Sequence, residues 1–299
     1  MTGTLEDGDW HTLLQRIAAK KCTPFLGAGA CHGVLPLGSK VAANLAEEYD
    51  YPLEDRHDLA RVAQYIAVGY DALFPKERIA DSFKNVPAPD FASVDEPHAL
   101  LADLNLPVYV TTNYDDFMYK ALEDRRRRPR RELCHWHQGL ERTQKSVFAL
   151  DSSYVPDESN PVVFHLHGHV DVPESLVLTE DDYLDFLKRM SENSNLLPPR
   201  IQQAFTGASL LFLGYSISDW DFRVLFRSLV SSLAISQQRA HVSVQLAPGG
   251  EALSGEQRTK MQQYLDRYFG QLHIRVYWGT CREFAIELRQ RWDAFQARA

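Results

Sequence analysis

Three short stretches carry the residue types that do chemistry. In Phe164-His165-Leu166-His167-Gly168-His169 the alternation puts His165 and His167 on one face of a strand. His169 joins them if the strand runs on past Gly168. In one reading these imidazoles are zinc ligands. In another, His167 is a general base at the strand's end, because imidazole titrates near neutrality and Gly168 lets the chain turn away there. In Thr111-Thr112-Asn113-Tyr114-Asp115-Asp116, Asn113 offers a carboxamide to a ligand or orients a water, and Asp115 suits a helix cap. Gly27-Ala28-Gly29 follows an apolar run, where glycine brings the backbone close to a pyrophosphate whose charge the amide dipoles favour. The G-x-G-x-x-G dinucleotide fingerprint is incomplete, since His32 stands at the third glycine and Gly33 comes late. The ribose-binding acid expected about 20 residues on would be Glu48 or Asp50, and neither ends a strand. A hydride-transfer dehydrogenase therefore fits poorly. Each stretch also has a plain structural reading: a glycine turn that closes a strand, turn and cap residues, and hydrogen-bonded histidines.

The elements that would position these residues alternate. A helix is expected over Asp9–Lys20, with Asp9 as cap and Trp10, Leu13, Leu14 and Ile17 on one face. Strands are expected at 22–26, 107–111, 162–166, 210–213, 241–246 and 274–278, with helices near 180–190, 197–206, 255–268 and 281–297 and others starting at Asp115 and near Asp219. Phe222, Leu225, Phe226 and Leu229 have the spacing of a helix's core face. Helical patterns near 39–49, 58–68, 76–84 and 97–104 follow the first strand without a strand between them. They read as a helical module inserted at about 38–97 into one domain spanning 1–299. Residues 124–160 read as irregular and polar. The fold class is α/β: a Rossmann-like, mostly parallel sheet of six to seven strands with helices on both faces. Leu213-Gly214-Tyr215-Ser216 and Trp278-Gly279-Thr280 place further glycine and hydroxyl residues at strand ends. Together with the three stretches above they outline a crevice along the carboxyl edge of the sheet, where open α/β sheets bind ligands.

Composition narrows the classes. The chain has 299 residues, 44% hydrophobic and 24% charged, with 40 acidic against 32 basic side chains and a net charge of -8. That balance excludes disorder and argues against a protein that coats nucleic acid. The 4 cysteines contain no C-x-x-C pair, which argues against a zinc ribbon and a disulfide framework. Cys31 is either a reactive thiol in the glycine turn or a small buried filler. The amino-terminal stretch lacks a signal peptide's apolar segment, and no apolar run reaches the ~18 residues of a membrane span. The expected location is cytoplasmic. The basic run Arg125–Arg131 is either a solvated loop or a contact for nucleic acid or an acidic partner.

Taken together, Gly27-Ala28-Gly29, Thr112-Asn113-Tyr114-Asp115, His167-Gly168 and Leu213-Gly214-Tyr215-Ser216 resemble, in order, the motifs of the sirtuin superfamily. They look most like the zinc-less, sirtuin-like NAD-consuming enzymes of bacterial antiviral defence, over roughly residues 22–286. The resemblance implies that Gly27, Ala28 and Gly29 meet the NAD+ pyrophosphate, and that Asn113 and Asp115 line the nicotinamide-ribose pocket. It implies His167 as catalytic base, Gly214 and Ser216 against the adenosine half, and Gly279 and Thr280 near the adenine. Deacetylating relatives carry a four-cysteine zinc module after the histidine, whereas no cysteine lies between 134 and 281 here. Thr112 also replaces their usual glutamine, and the run after Gly33 lacks their acidic-aromatic-arginine cofactor loop.

The implied activity is therefore NAD+ hydrolysis to nicotinamide and ADP-ribose, with NAD+ as substrate and no metal. The site would stabilise an oxocarbenium-like state, Asn113 positioning carboxamide or water and His167 accepting a proton. Two other classes stay open: a non-catalytic NAD or ADP-ribose sensing module, and a metal-dependent hydrolase using His165, His167 and His169. A constitutive NADase would be toxic, so the resemblance also implies a gate, by homo-oligomerisation or by a separate activator such as a HerA-type ATPase.

Overall fold

A computed structural model describes residues 5–192, 196–215, 240–246 and 255–298. The helix expected near Asp219, with Phe222, Leu225, Phe226 and Leu229, lies outside the described residues, as does Ser216. The chain opens with α1 (Asp7–Ala18), which starts two residues earlier than expected because Glu6 and Asp9 form a reciprocal capping box. Its Trp10, Leu13, Leu14 and Ile17 are buried, as their shared face requires. Strand β1 (Cys22–Leu26) follows and is buried throughout.

Three helices come next: α2 (Gly38–Glu48), α3 (Leu59–Gly69) and α4 (Phe74–Lys84). They pack around Val41, Leu45, Val62, Ile66 and Ile79, together with Leu176 and Leu178 from far along the chain. Lys76 of α4, only 5% exposed, pairs with Asp182 at 2.7 Å and lies over the Trp136 ring. Then come α5 (Pro97–Asp103), β2 (Val108–Thr111) and α6 (Phe117–Asp124).

The segment expected to be irregular holds β3 (Arg130–Leu133), α7 (Gln138–Thr143) and α8 (Val147–Leu150). The strand escaped the hydrophobic pattern because it is an edge strand, and edges tolerate charge. The basic run is divided: Arg126 and Arg128 are exposed, as a solvated loop would have them, while its other arginines are half-buried. Arg125 pairs with Asp103 and Asp124, Arg130 with Asp151, and Arg131 with Asp116 and Asp171.

The remaining elements are β4 (Val162–His165), α9 (Glu180–Glu192), α10 (Pro199–Gly207), β5 (Ser209–Leu213), β6 (His241–Gln245), α11 (Gly255–Gly270), β7 (Ile274–Trp278) and α12 (Cys281–Gln296). The sheet has seven strands in the order β3-β4-β2-β1-β5-β6-β7, and every neighbouring pair is parallel. Alternate strand residues feed two cores. Phe25, Val110, Phe164 and Phe212 meet α9 and α10, while Leu26, Tyr109, Val163 and Leu211 meet α1, α5, α6 and α12. Because β2 and β5 flank β1 on opposite sides, the chain's direction of travel reverses at β1, and the carboxyl ends of these strands frame the crevice.

Candidate active site at the carboxyl edge of the sheet

The glycines at the switch point pack on one another. Gly27 N–H donates to Leu213 O and Gly29 N–H to Gly214 O, both at 2.8 Å. A Cβ on Gly29 would lie 2.9 Å from Gly214 Cα, and one on Gly214, whose φ is +79°, would lie 2.2 Å from Ala30 N. Close backbone contact between the ends of β1 and β5 is thus enough to require these glycines. Ala28 is the exposed residue of the turn.

Beside them, Asn113 leaves the end of β2. Its backbone N–H donates to Thr111 Oγ1 at 2.9 Å, and its Nδ2 lies 3.1 Å from Gly27 O and 3.2 Å from Cys31 Sγ. Asp115 accepts from Phe117 N at 2.8 Å, where α6 begins, and its other oxygen lies 3.3 Å from Cys31 Sγ. Burial, seconded by the Asp115 charge, pushes the Cys31 thiol well above its usual range. Cys31 is therefore no reactive thiolate; it is a small buried side chain packed with Leu35 and Phe117, and hydrogen-bonded besides. Behind it, His98 Nε2 lies 3.9 Å from Sγ, and His98 Nδ1 lies 2.7 Å from Glu96 Oε1. The sequence reading missed Glu96 and His98, because only the fold brings α5 under a glycine turn 67 residues away.

On the next strand, β4 pairs His165 with Thr111, and Leu166 N–H donates to Thr111 O at 2.8 Å. Asn113 and His167 therefore each stand two residues past a matched position on neighbouring parallel strands. His167 is buried against Tyr183 and Phe186, edge-on at 5.5 and 5.0 Å, and its Nε2 has no hydrogen-bond partner among the described residues. Desolvation lowers its pKa to about 3, so the ring is neutral at neutral pH and, while buried, a weak base. Gly168 takes φ +88°, and a Cβ there would sit 2.2 Å from Ser175 O, so the H-G pair needs its glycine.

That turn separates the three histidines. His165 and His169 face each other, ring centroids 4.8 Å apart, and group with Asp116, whereas His167 turns to α9. His169 Nδ1 accepts from Asp171 N at 3.1 Å, and Asp116 is bound by Arg131. Burial opposes it, but the His169 and Arg131 contacts hold the Asp116 carboxyl well below its usual range. The residues of the three-histidine reading thus do not converge. A second group of metal-ligating types, Cys31, His98 and Asp115, is engaged in the hydrogen bonds above.

Tyr215 closes the crevice from β5, its hydroxyl 2.8 Å from Leu26 O and 2.9 Å from Thr112 Oγ1. At the far end, Thr280 and Glu283 form the capping box of α12, with Glu283 N–H donating to Thr280 Oγ1 at 3.1 Å. Gly279 N–H donates to Gln245 O at 2.8 Å. Three strand spacings, about 14 Å, separate β7 from β1.

The motif order and this strand-end geometry have a counterpart among known families: the model of the SIR2-like domain matches residues 107–274, more than half of the chain. The chain belongs to the SIR2-like family. Curated relatives agree. The chain is 27% identical over 180 residues to the NAD(+) hydrolase ThsA of Cytobacillus dafuensis, covering 60% of this chain and 32% of that protein. It is 25% identical over 218 residues to the NAD(+) hydrolase ThsA of Bacillus cereus strain MSX-D12, covering 72% of this chain and 41% of that one. This SIR2-like chain thus spans a third to two fifths of the length of these relatives. A solved structure described as "Structural Basis for the Mechanism and Regulation of Sir2 Enzymes" overlays 98% of this chain and 100% of its own with a TM-score of 0.44 and 14% identity, too distant a likeness to carry an argument. No helix among the described residues is long and apolar enough to cross a membrane.

Proposed function

We propose that this SIR2-like protein is an NAD+ glycohydrolase. The observation that carries the reading is the strand register that sets Asn113 and His167 each two residues past a matched pair, at the carboxyl ends of neighbouring parallel strands. In this mechanism water attacks C1′ of the nicotinamide ribose. The C1′–N bond breaks and its electron pair leaves with nicotinamide. His167 takes the proton lost by the water, and Asn113 aligns the water or a ribose hydroxyl. Gly27, Ala28 and Gly29 border the place of the pyrophosphate. Gly214, Gly279 and Thr280 continue along the edge toward the adenosine half, with Ser216 as a further contact on the same expectation. The chemistry assigns no role to a metal.

The ThsA relatives are NAD(+) hydrolases by name, which supports the substrate. We extend the reading to a gated, cytoplasmic, NAD-depleting effector of antiviral defence, controlled by homo-oligomerisation or by a separate activator such as a HerA-type ATPase. The test is nicotinamide release from NAD+ by the purified protein. Release that persists in EDTA and falls at least ~100-fold in His167→Ala and in Asn113→Ala is the expected result. Near-wild-type release by both variants sinks the site assignment. NAD+ binding without turnover by the activated protein makes it a sensing module instead.

A further inference from the structure

Asn113 Nδ2 sits between two acceptors, Gly27 O at 3.1 Å and Cys31 Sγ at 3.2 Å. A carbonyl oxygen only accepts, so the amide face toward Gly27 is the NH2 and the orientation of the carboxamide is fixed by chemistry. Both N–H groups are then spent within the protein, and Oδ1 is the atom left for a ligand.

This works only if the sulfur accepts, which requires its own proton to point elsewhere. Two groups draw it away. Asp115 Oδ2 is 3.3 Å from Sγ, and His98 Nε2 is 3.9 Å from it. In the neutral tautomer whose Nδ1–H donates to Glu96 Oε1 at 2.7 Å, His98 offers a lone pair at Nε2, and Glu96 is fixed in turn through Ala99 N–H to its other oxygen. Burial keeps the thiol protonated, so the S–H is there to donate. Glu96, His98 and Cys31 are all at most 3% exposed. A buried chain thus runs from the start of α5 through the glycine turn to the end of β2.

We propose that Cys31, held by Asp115 and the Glu96–His98 pair, is a positioning residue that presents the Asn113 carboxamide oxygen to a hydroxyl, either of the attacking water or of the substrate ribose. The proposal rests on the NAD+ hydrolase reading for its substrate, and it makes Asn113 a hydrogen-bond acceptor rather than a donor to a carbonyl.

The experiment compares Cys31→Ala with Cys31→Ser in the full chain. Serine can accept and donate as the thiol does; alanine cannot. In Cys31→Ala the expected change is a kcat loss of about tenfold to a hundredfold with KM nearly unchanged, and Cys31→Ser restores most of it. His98→Phe removes the Nε2 lone pair at similar volume and should lower kcat in the same direction by about tenfold or less. It serves as the second variant if Cys31→Ala does not fold. Wild-type kcat in Cys31→Ala, a loss confined to KM, or a serine variant no better than alanine would each overturn the proposal.

A second readout does not need turnover. The Asn113 side-chain amide should give two distinct, protected proton signals by NMR in wild type and Cys31→Ser, and lose protection in Cys31→Ala. Wild type silent toward NAD+ in its activated form, with this signature intact, overturns the hydrolase reading and leaves the positioning. Turnover with a signature indifferent to Cys31→Ala overturns the positioning alone. Silence of the activated protein together with indifference overturns both.

Discussion

At the scale of the residue, burial sets the properties of the two histidines on the β4 segment. His165 is pushed well below its usual range by desolvation, reinforced by the neighbouring His169 and Arg131, and His167 is lowered to about 3 by desolvation alone. Both bind fewer protons folded than unfolded over this range, so their stabilising effect is complete above the unfolded histidine pKa of about 6.5 and is lost as pH falls toward the folded value. The urea midpoint should therefore fall between pH 7 and pH 4, and His167→Gln should flatten that slope. An unchanged slope in the variant would remove His167 as its source. The same burial predicts that kcat/KM shows no inflection near pH 6.5, because His167, the base proposed above, is already neutral there. A pH–rate profile with an acid limb near 6.5 would show that His167 is solvated in the working enzyme.

At the scale of the element, close packing separates glycines that look alike in sequence. Gly33 and Gly214 both take positive φ, +90° and +79°. A Cβ on Gly33 meets only the tip of Arg282 at 4.0 Å, while one on Gly214 strikes the Ala30 backbone at 2.2 Å. Gly33→Ala should cost about 1–2 kcal/mol, the left-handed backbone penalty alone. Gly214→Ala should cost distinctly more, because β1 and β5 must part; equal urea midpoints for the two variants would contradict this. The Lys76–Asp182 pair, with side chains 7% and 12% exposed, ties α4 to the start of α9. Removing only the lysine leaves the half-buried carboxylate with its Leu178 and Thr179 N–H donors but no countercharge, so Lys76→Met should destabilise by about 1–3 kcal/mol, read from chemical denaturation.

At the scale of the whole molecule, the candidate base is covered. Phe186 and Tyr183 of α9 pack on His167, and Tyr215 bridges the ends of β1 and β2. Ligand access to His167 then requires Phe186 and Tyr183 to move. If self-association supplies the release, specific activity should rise with protein concentration in step with the oligomer measured by light scattering. Constant specific activity across a change in assembly would leave control to a separate activator.

Local pattern determined much of this on its own. Short apolar or alternating runs announced β1, β2, β4, β5, β6 and β7, and the 3.6-residue spacing in α1 named its buried face. Glycine, asparagine and histidine at strand ends marked the carboxyl edge before any strand was paired. These features are legible because they depend on neighbours within a few residues. Tertiary structure decided the rest, because contacts across tens to hundreds of residues have no local period. It recruited the charged strand β3 through pairing with β4. It divided His165 and His169 from His167 at a turn that Gly168 permits. It used Gly29 and Gly214 for contact with each other, 185 positions apart, and it set Glu96 and His98 behind Cys31.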